Sequence, residues 1–310
     1  MTTKQTGRFL DLGTLSALTH LRFSTRHRIE GSYSGRHQSR QQGGAGEFVD
    51  YRQYSGSEDL RRLDWKVLGR TGKSFVRMYQ DETNLLCTLA LDVSGSMAYG
   101  GANLQANISS GRSTGLSKLE YAQYLATAMS YLIVHGQDQV GLAVLEEGLR
   151  THLPPGGTFS HLARLHEEVE HLTTRPSTTM AAGLRALFEQ SKRRGVLLLM
   201  SDFLMDDLSE VFAAIKLFRH RNWEVVVLHL VHPEEESLPE GTAFRFIDME
   251  NHTHLNCSPS DVREDYRRRF EKHLAAVRQF ALAGGCNYRL VSTAVPWFHT
   301  LGGFLVDRAM

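Results

Sequence analysis

The sequence predicts an α/β protein: a doubly wound, mostly parallel sheet, preceded by a β-rich N-terminal extension. Short aliphatic runs are nearly continuous in hydrophobicity, which is typical of strands buried on both faces. These runs occupy residues 85–91, 140–145, 196–200, 225–231 and 288–291. Between them, apolar residues recur at three- and four-residue steps, which predicts helices at residues 116–135, 159–172, 180–193, 208–220 and 260–283. Strands that alternate with helices indicate βαβ units.

Residues 1–82 follow a different pattern. One short helix is expected over residues 10–22, and residues 32–46 are rich in Gly, Ser, Gln and Arg, as loops are. Residues 48–54 and 74–79 are expected to form strands. We therefore predict an extension, residues 1–82, that packs on the main domain, residues 83–310.

Two segments interrupt the alternation in the main domain. Residues 99–115 form a polar, glycine-rich stretch directly after a strand, which predicts a loop insertion. Residues 233–256 are predicted to contain a short hairpin around residues 243–249.

The overall charge of +1 conceals an asymmetry. Residues 1–80 carry 14 Lys+Arg against 7 Asp+Glu, and the remainder carries 21 against 27. A basic first quarter is compatible with nucleic-acid binding, but a structural arm whose arginines pair with the acidic body is the favoured hypothesis.

No signal peptide or membrane-spanning run is recognisable at the sequence level. The 3 cysteines are scattered, which fits a reducing compartment. A cytoplasmic location is therefore expected.

The strongest chemical signal is the segment Asp92-Val93-Ser94-Gly95-Ser96-Met97, directly after a buried strand. A second carboxylate, Asp202, follows the strand at residues 196–200. In a doubly wound sheet these two strands flank the point where the strand order reverses, so both carboxylates should face one crevice. Between them in sequence, Ser177-Thr178-Thr179 at a helix start offers a further hydroxyl.

Two carboxylates and three hydroxyls form a set of oxygen donors, which Mg²⁺ or Mn²⁺ prefers and Zn²⁺ does not. The alternative is that Asp92 and Ser94 only cap the next element. Capping does not explain a matching aspartate at the other strand end, so a metal site is the favoured hypothesis.

The same carboxylates could also serve an enzyme. Haloacid-dehalogenase-type phosphatases need a second aspartate two residues after the first, where this chain has Ser94, and no lysine follows in a suitable position. A metal held mainly by neutral hydroxyls can accept a carboxylate from another molecule, so we expect a binding device rather than an enzyme. No catalytic residue is assigned.

The pattern D-x-S-x-S followed by Thr and Asp resembles the metal-ion-dependent adhesion site of von Willebrand factor type A domains. The resemblance implies Ser94, Ser96 and Thr178 as direct ligands of Mg²⁺, Mn²⁺ or Ca²⁺, with Asp92 and Asp202 bound directly or through water. Because Pro176-Ser177 replaces the usual glycine-rich lead, Thr179 is the alternative to Thr178.

The segment before this domain resembles the bacterial domain-of-unknown-function 58 family. The residues that carry the resemblance are EFVDYRQY at 47–54, DLRRLDW at 59–65, Val76-Arg77 and Glu82. We expect Trp65 in it to be buried, as part of a structural corner.

Members of that family are encoded beside MoxR-type AAA+ ATPases. The resemblance implies a divalent-metal-dependent adaptor that works with such an ATPase in the assembly or maturation of other proteins, the partner supplying an acidic residue to the metal. The alternatives are a metal-dependent hydrolase using Asp92 and Asp202, and nucleic-acid binding through the basic N-terminal region.

Overall fold

The structure is a computed structural model of the 310-residue chain. It describes residues 8–9, 13, 23, 37–39, 47–54, 63–83, 85–101, 115–176, 179–238, 244–250 and 253–309. The chain divides into two compact units, one formed by residues 1–24 and 86–310 and the other by residues 25–85. Nearly all of the helix expected over residues 10–22 and most of the loop at 99–115 lie outside the described residues.

The smaller unit contains a three-stranded antiparallel sheet in the order β1-β3-β2. Its strands are β1 (His37–Ser39), β2 (Glu47–Gln53) and β3 (Phe75–Thr83). This confirms strands near both predicted positions, but β1 lies within the segment expected to be loop. Its packing against the main domain stays a prediction.

One helix of this unit, α1 (Trp65–Thr71), has both ends capped. The Asp64 side chain accepts hydrogen bonds from the amides of Lys66 and Val67, and Gly72 ends the helix with φ of 68°. The expectation that Trp65 is buried was wrong, because its side chain at the start of α1 is 61% exposed.

The main unit is built on a six-stranded sheet in the order β11-β8-β7-β4-β5-β6. Its strands are β4 (Leu86–Asp92), β5 (Gln139–Glu146), β6 (Gly148–Gly156), β7 (Val196–Ser201), β8 (Glu224–Val231) and β11 (Asn287–Ser292). All neighbouring pairs are parallel except β5 and β6. The chain winds outward from β4 through β5 to β6 and then returns to build the other half from β7. The predicted mostly parallel α/β sheet is therefore confirmed.

Strand β6 was not predicted. It is an antiparallel edge strand that contains Pro154 and Pro155, and most of its side chains are only partly buried. Proline is tolerated on an edge strand because it need not donate to a second neighbour. Its hydrophobic pattern is too weak to predict a buried strand.

Helices form two sets, one on each face of the sheet. In the first set, α2 (Lys118–His135) contacts α3 (Phe159–Glu170) and α8 (Trp297–Ala309). In the second set, α5 (Leu208–His220) contacts α4 (Met180–Gln190) and α7 (Pro259–Ala283). Buried aliphatic and aromatic residues of the second set pack on β7 and β8 in one core cluster.

The segment after β8 holds a short helix and a hairpin. Helix α6 (Pro233–Glu236) follows the strand directly, and β9 (Phe244–Ile247) then pairs with β10 (His254–Cys257) in an antiparallel hairpin. The structure thus has a hairpin in the predicted insertion. Among the described residues, no helix is long and apolar enough to cross a membrane.

The contact between α3 and α2 includes a half-buried histidine, and it predicts acid sensitivity. His166 Nε2 lies 2.9 Å from Ser130 Oγ, and burial lowers the pKa of His166 to about 4. Because the folded state disfavours the protonated imidazole, this contribution to stability is complete above the unfolded pKa of about 6.5 and is lost as the pH falls towards 4.

The wild type should lose unfolding free energy as the pH falls from about 7 to about 5. We expect His166→Gln to lose about 1–2 kcal/mol less over this interval, as measured by urea unfolding. His220→Gln, at an exposed position on α5, is the matched control. If the unfolding free energies of His166→Gln and the wild type had the same pH dependence, protonation of this imidazole would not destabilise the fold.

Candidate metal site

The turn after β4 is organised around Asp92, the last residue of that strand. Its side chain is fully buried, and its Oδ1 accepts a hydrogen bond of 2.9 Å from the Ser94 amide. A single turn of 3₁₀ helix, Gly95–Ala98, follows and places Ser96 close to Ser94, with 3.1 Å between the two Oγ atoms.

The second carboxylate reaches the same place through the neighbouring strand. Strands β4 and β7 pair in parallel up to Leu91 and Met200, so Asp92 and Asp202 follow adjacent strand ends. The Ser96 side chain also helps to lower the pKa of Asp202, so it lies near that carboxyl group. The sequence-based prediction that the two aspartates share one crevice agrees with this register.

Ser201 was missed as a member of this cluster. Its hydroxyl donates a 2.6 Å hydrogen bond to Asp92 Oδ2 and accepts one of 2.8 Å from the Phe203 amide. Its position directly before Asp202 at a buried strand end was the available signal. Both carboxylate oxygens of Asp92 therefore have protein donors, which fixes the orientation of this side chain.

The third predicted element is only partly described. Thr178 and Ser177 lie outside the described residues. Thr179 is the N-cap residue before α4, is exposed, and donates its amide to the Glu146 carbonyl at 2.8 Å. Just upstream, the Arg175 amide donates to the Val93 carbonyl at 2.8 Å. The segment that leads to α4 thus lies against the Asp92 turn.

A buried lysine next to the site was also missed. Lys118, the first residue of α2, is fully buried, and its Nζ lies 2.6 Å from Asp202 Oδ2. The same Nζ forms an ion pair with Glu235 of α6. A lysine at a helix start is normally solvated, so nothing in the local sequence indicated this burial.

That no lysine is suitably placed to clamp a phosphoryl group stays a prediction. The chain supplies Lys118 from the start of α2, but its ammonium is buried between two carboxylates.

The pKa shifts show where positive charge is present and where it is lacking. Burial and the nearby Asp202 charge raise the pKa of Asp92 to about 7. Burial also opposes ionisation of Asp202, but the charge of Lys118 and its hydrogen bond hold the pKa of Asp202 below its usual value. Lys118 thus compensates Asp202, and among the described residues Asp92 has no cationic neighbour of comparable effect.

The net charge of the cluster also indicates a lack of positive charge. Asp92, Asp202 and Glu235 are three carboxylates, and Lys118 is one ammonium, so full ionisation leaves a net charge of −2. One divalent cation would balance it. Three His, Cys, Asp or Glu side chains do not come together as a metal-holding group anywhere in the described part of the chain. A cation here would depend on two carboxylates and on hydroxyls.

Relatives from mycobacteria share most of the chain's length. Uncharacterized protein Rv1480 of Mycobacterium tuberculosis (strain H37Rv) is 24% identical over 303 residues, which cover 94% of this chain and 89% of that protein. Uncharacterized protein Mb1516 of Mycobacterium bovis gives the same values.

Two solved structures are similar at 17% identity. Conserved hypothetical protein BatB from Bacteroides thetaiotaomicron has a TM-score of 0.49 and covers 73% of this chain and 99% of its own. An aerotolerance-related membrane protein from Bacteroides fragilis has a TM-score of 0.46, with coverage of 72% and 100%.

A family model described as protein of unknown function DUF58 matches residues 50–278. This match spans both the second half of the smaller unit and most of the six-stranded sheet. Because it covers more than half of the 310 residues, the chain belongs to the DUF58 family.

Proposed function

We propose that the chain is a divalent-metal-dependent protein-interaction module with a site of the von Willebrand factor type A kind. The observation that carries the proposal is the meeting of Asp92, Ser94, Ser96 and Asp202 at the carboxyl ends of β4 and β7. These strands flank the point where the sheet order reverses, and open α/β sheets bind ligands at this point.

The residues present fit a hard divalent cation. All four side chains offer oxygen. The net charge of −2 counted over Asp92, Asp202, Glu235 and Lys118 is what one Mg²⁺ or Mn²⁺ would balance. The raised pKa of Asp92 supports the same assignment, because a nearby cation would stabilise its ionised form. Thr178 is proposed as a further ligand on the resemblance alone.

The proposed use of the site is recognition of an acidic residue on a protein partner. A bound divalent cation would supply a positive charge with an open position for that carboxylate. The chain's own residues orient the site: the Ser94 amide and the Ser201 hydroxyl fix Asp92, and Lys118 fixes Asp202.

We further propose a MoxR-type AAA+ ATPase as the partner, with the chain serving as an adaptor in the assembly or maturation of other proteins. This part rests on the DUF58 membership and on the resemblance described above.

Capture of partners from native lysate tests the proposal. We expect Mg²⁺ to support capture of an AAA+ ATPase, and chelator or Asp92→Ala to abolish it. Asp265→Asn, which removes an exposed carboxylate from α7, is the matched control. Capture that is indifferent to both chelator and Asp92→Ala would contradict the metal-bridged interaction.

Metal-dependent hydrolysis is the second candidate, and the observation that favours it is Lys118 beside Asp202. Against this candidate, a catalytic ammonium must be able to reach the substrate, and the ammonium of Lys118 is fully buried and paired with two carboxylates. Turnover of a phosphate ester panel with Mg²⁺, lost in Asp92→Asn, would favour the hydrolase.

Nucleic-acid binding through the basic N-terminal region stays a prediction. It would appear as binding whose affinity falls steeply with salt concentration.

A further inference from the structure

The tip of the β9–β10 hairpin lies directly on the Asp92 turn. A β-carbon at Gly95 would stand 2.6 Å from the Met249 carbonyl oxygen and 3.2 Å from Cγ of Glu250. Glycine at this position therefore lets the hairpin backbone approach the segment between Ser94 and Ser96. Any larger residue would require the tip to shift, because the closest atom belongs to the backbone.

Hydrogen bonds hold the tip in shape. The Asp248 amide donates to the Thr253 carbonyl at 2.8 Å, and the Glu250 amide donates to Asp248 Oδ1 at 2.8 Å. The Glu250 side chain begins beside Gly95 but is itself exposed. A carboxylate on a fixed turn thus stands at the rim of the candidate metal site.

The charges around Glu250 are of one sign. Partial burial raises the pKa of Glu250, and the negative charges of Asp248, Asp202 and Asp206 raise it further. A cation between Glu250 and Asp202 would convert this repulsion into attraction.

We propose that Glu250 is an additional ligand of the site, and that it takes the coordination position that a partner's carboxylate would otherwise occupy. This inference rests on the proposed function, and it adds a regulatory consequence. The hairpin tip is a built-in competitor, so a partner must displace Glu250 to bind. Exposure of its side chain makes that displacement possible.

Mn²⁺ binding to the metal-stripped full chain tests the inference. The variants are Glu250→Gln, which keeps the shape of the side chain, and Glu189→Gln, a matched control at the exposed far end of α4. Electron paramagnetic resonance gives the Mn²⁺ affinity. Water-proton relaxation per bound Mn²⁺ gives the number of water molecules on the ion.

We expect Glu250→Gln to raise the Mn²⁺ dissociation constant about tenfold. It should also increase the proton relaxation by the contribution of one added water molecule, while Glu189→Gln behaves like the wild type.

If the wild type and Glu250→Gln have the same Mn²⁺ affinity and the same proton relaxation, the role of Glu250 is overturned. The metal site itself still stands in that case, provided that Mn²⁺ binding depends on Asp92. Absence of Asp92-dependent Mn²⁺ binding in the wild type would overturn the metal site and the role of Glu250 together.

Discussion

Replacing Lys118 by methionine is expected to lower the unfolding free energy by about 3–5 kcal/mol. The variant keeps most of the side-chain volume but removes the only ammonium that contacts Asp202 among the described residues. Asp202, which is buried, and Glu235, which is partly buried, would then lack this counter-charge or would have to take up protons. Urea unfolding of metal-free protein at neutral pH measures the effect.

Two comparisons make this result specific. Lys216→Met removes an exposed lysine from α5 and should change stability by less than about 0.5 kcal/mol. Adding Asp202→Asn to Lys118→Met should recover part of the loss, because the uncompensated charge disappears. Additive losses in the double variant would contradict direct coupling of Lys118 and Asp202.

Asp92→Asn is expected to stabilise the metal-free protein, and Mg²⁺ is expected to remove most of that advantage. Burial and Asp202 raise the pKa of Asp92 to about 7, so the folded state binds this proton more tightly than the unfolded state. The resulting stability is complete below about pH 4 and is lost as the pH rises through 7. At about pH 8 in chelator, the asparagine variant should therefore be more stable than the wild type, by about 2–4 kcal/mol.

Excess Mg²⁺ should shift that difference towards the wild type by about 2–3 kcal/mol, because only the wild type gains binding free energy at about one hundred times the dissociation constant. Urea unfolding in chelator and in Mg²⁺ measures both values, with Asp265→Asn as the control for loss of an exposed carboxylate. Equal stabilisation of both proteins by Mg²⁺ would place the cation elsewhere. A variant less stable than the wild type in chelator would contradict an uncompensated charge at Asp92.

The strands of the sheet differ in how well their sequences predict them. β4, β7 and β8 are buried along their whole length, and nearly continuous runs of apolar residues predict such strands. β6 carries two prolines at an edge, where hydrogen bonding on one side suffices, so its sequence lacks that signal.

The residues of the candidate metal site also differ in how well the sequence predicts their positions. Asp92 and Asp202 could be brought together from sequence, because strand order and the ends of buried strands define one crevice. Lys118 and Glu235 could not, because their pairing depends on the packing of α2 and α6 at that edge. The closeness of the Glu250 hairpin tip depends on a backbone contact with Gly95, which residue types alone do not indicate.

Titration of the metal-stripped protein with Mn²⁺, followed by electron paramagnetic resonance, tests the metal site most directly. We expect the wild type to bind one Mn²⁺ per chain, Mg²⁺ to displace it, and Asp92→Ala to bind none. A wild type that binds no Mn²⁺, or an Asp92→Ala variant that binds it as tightly, would contradict the site at Asp92, Ser94, Ser96 and Asp202.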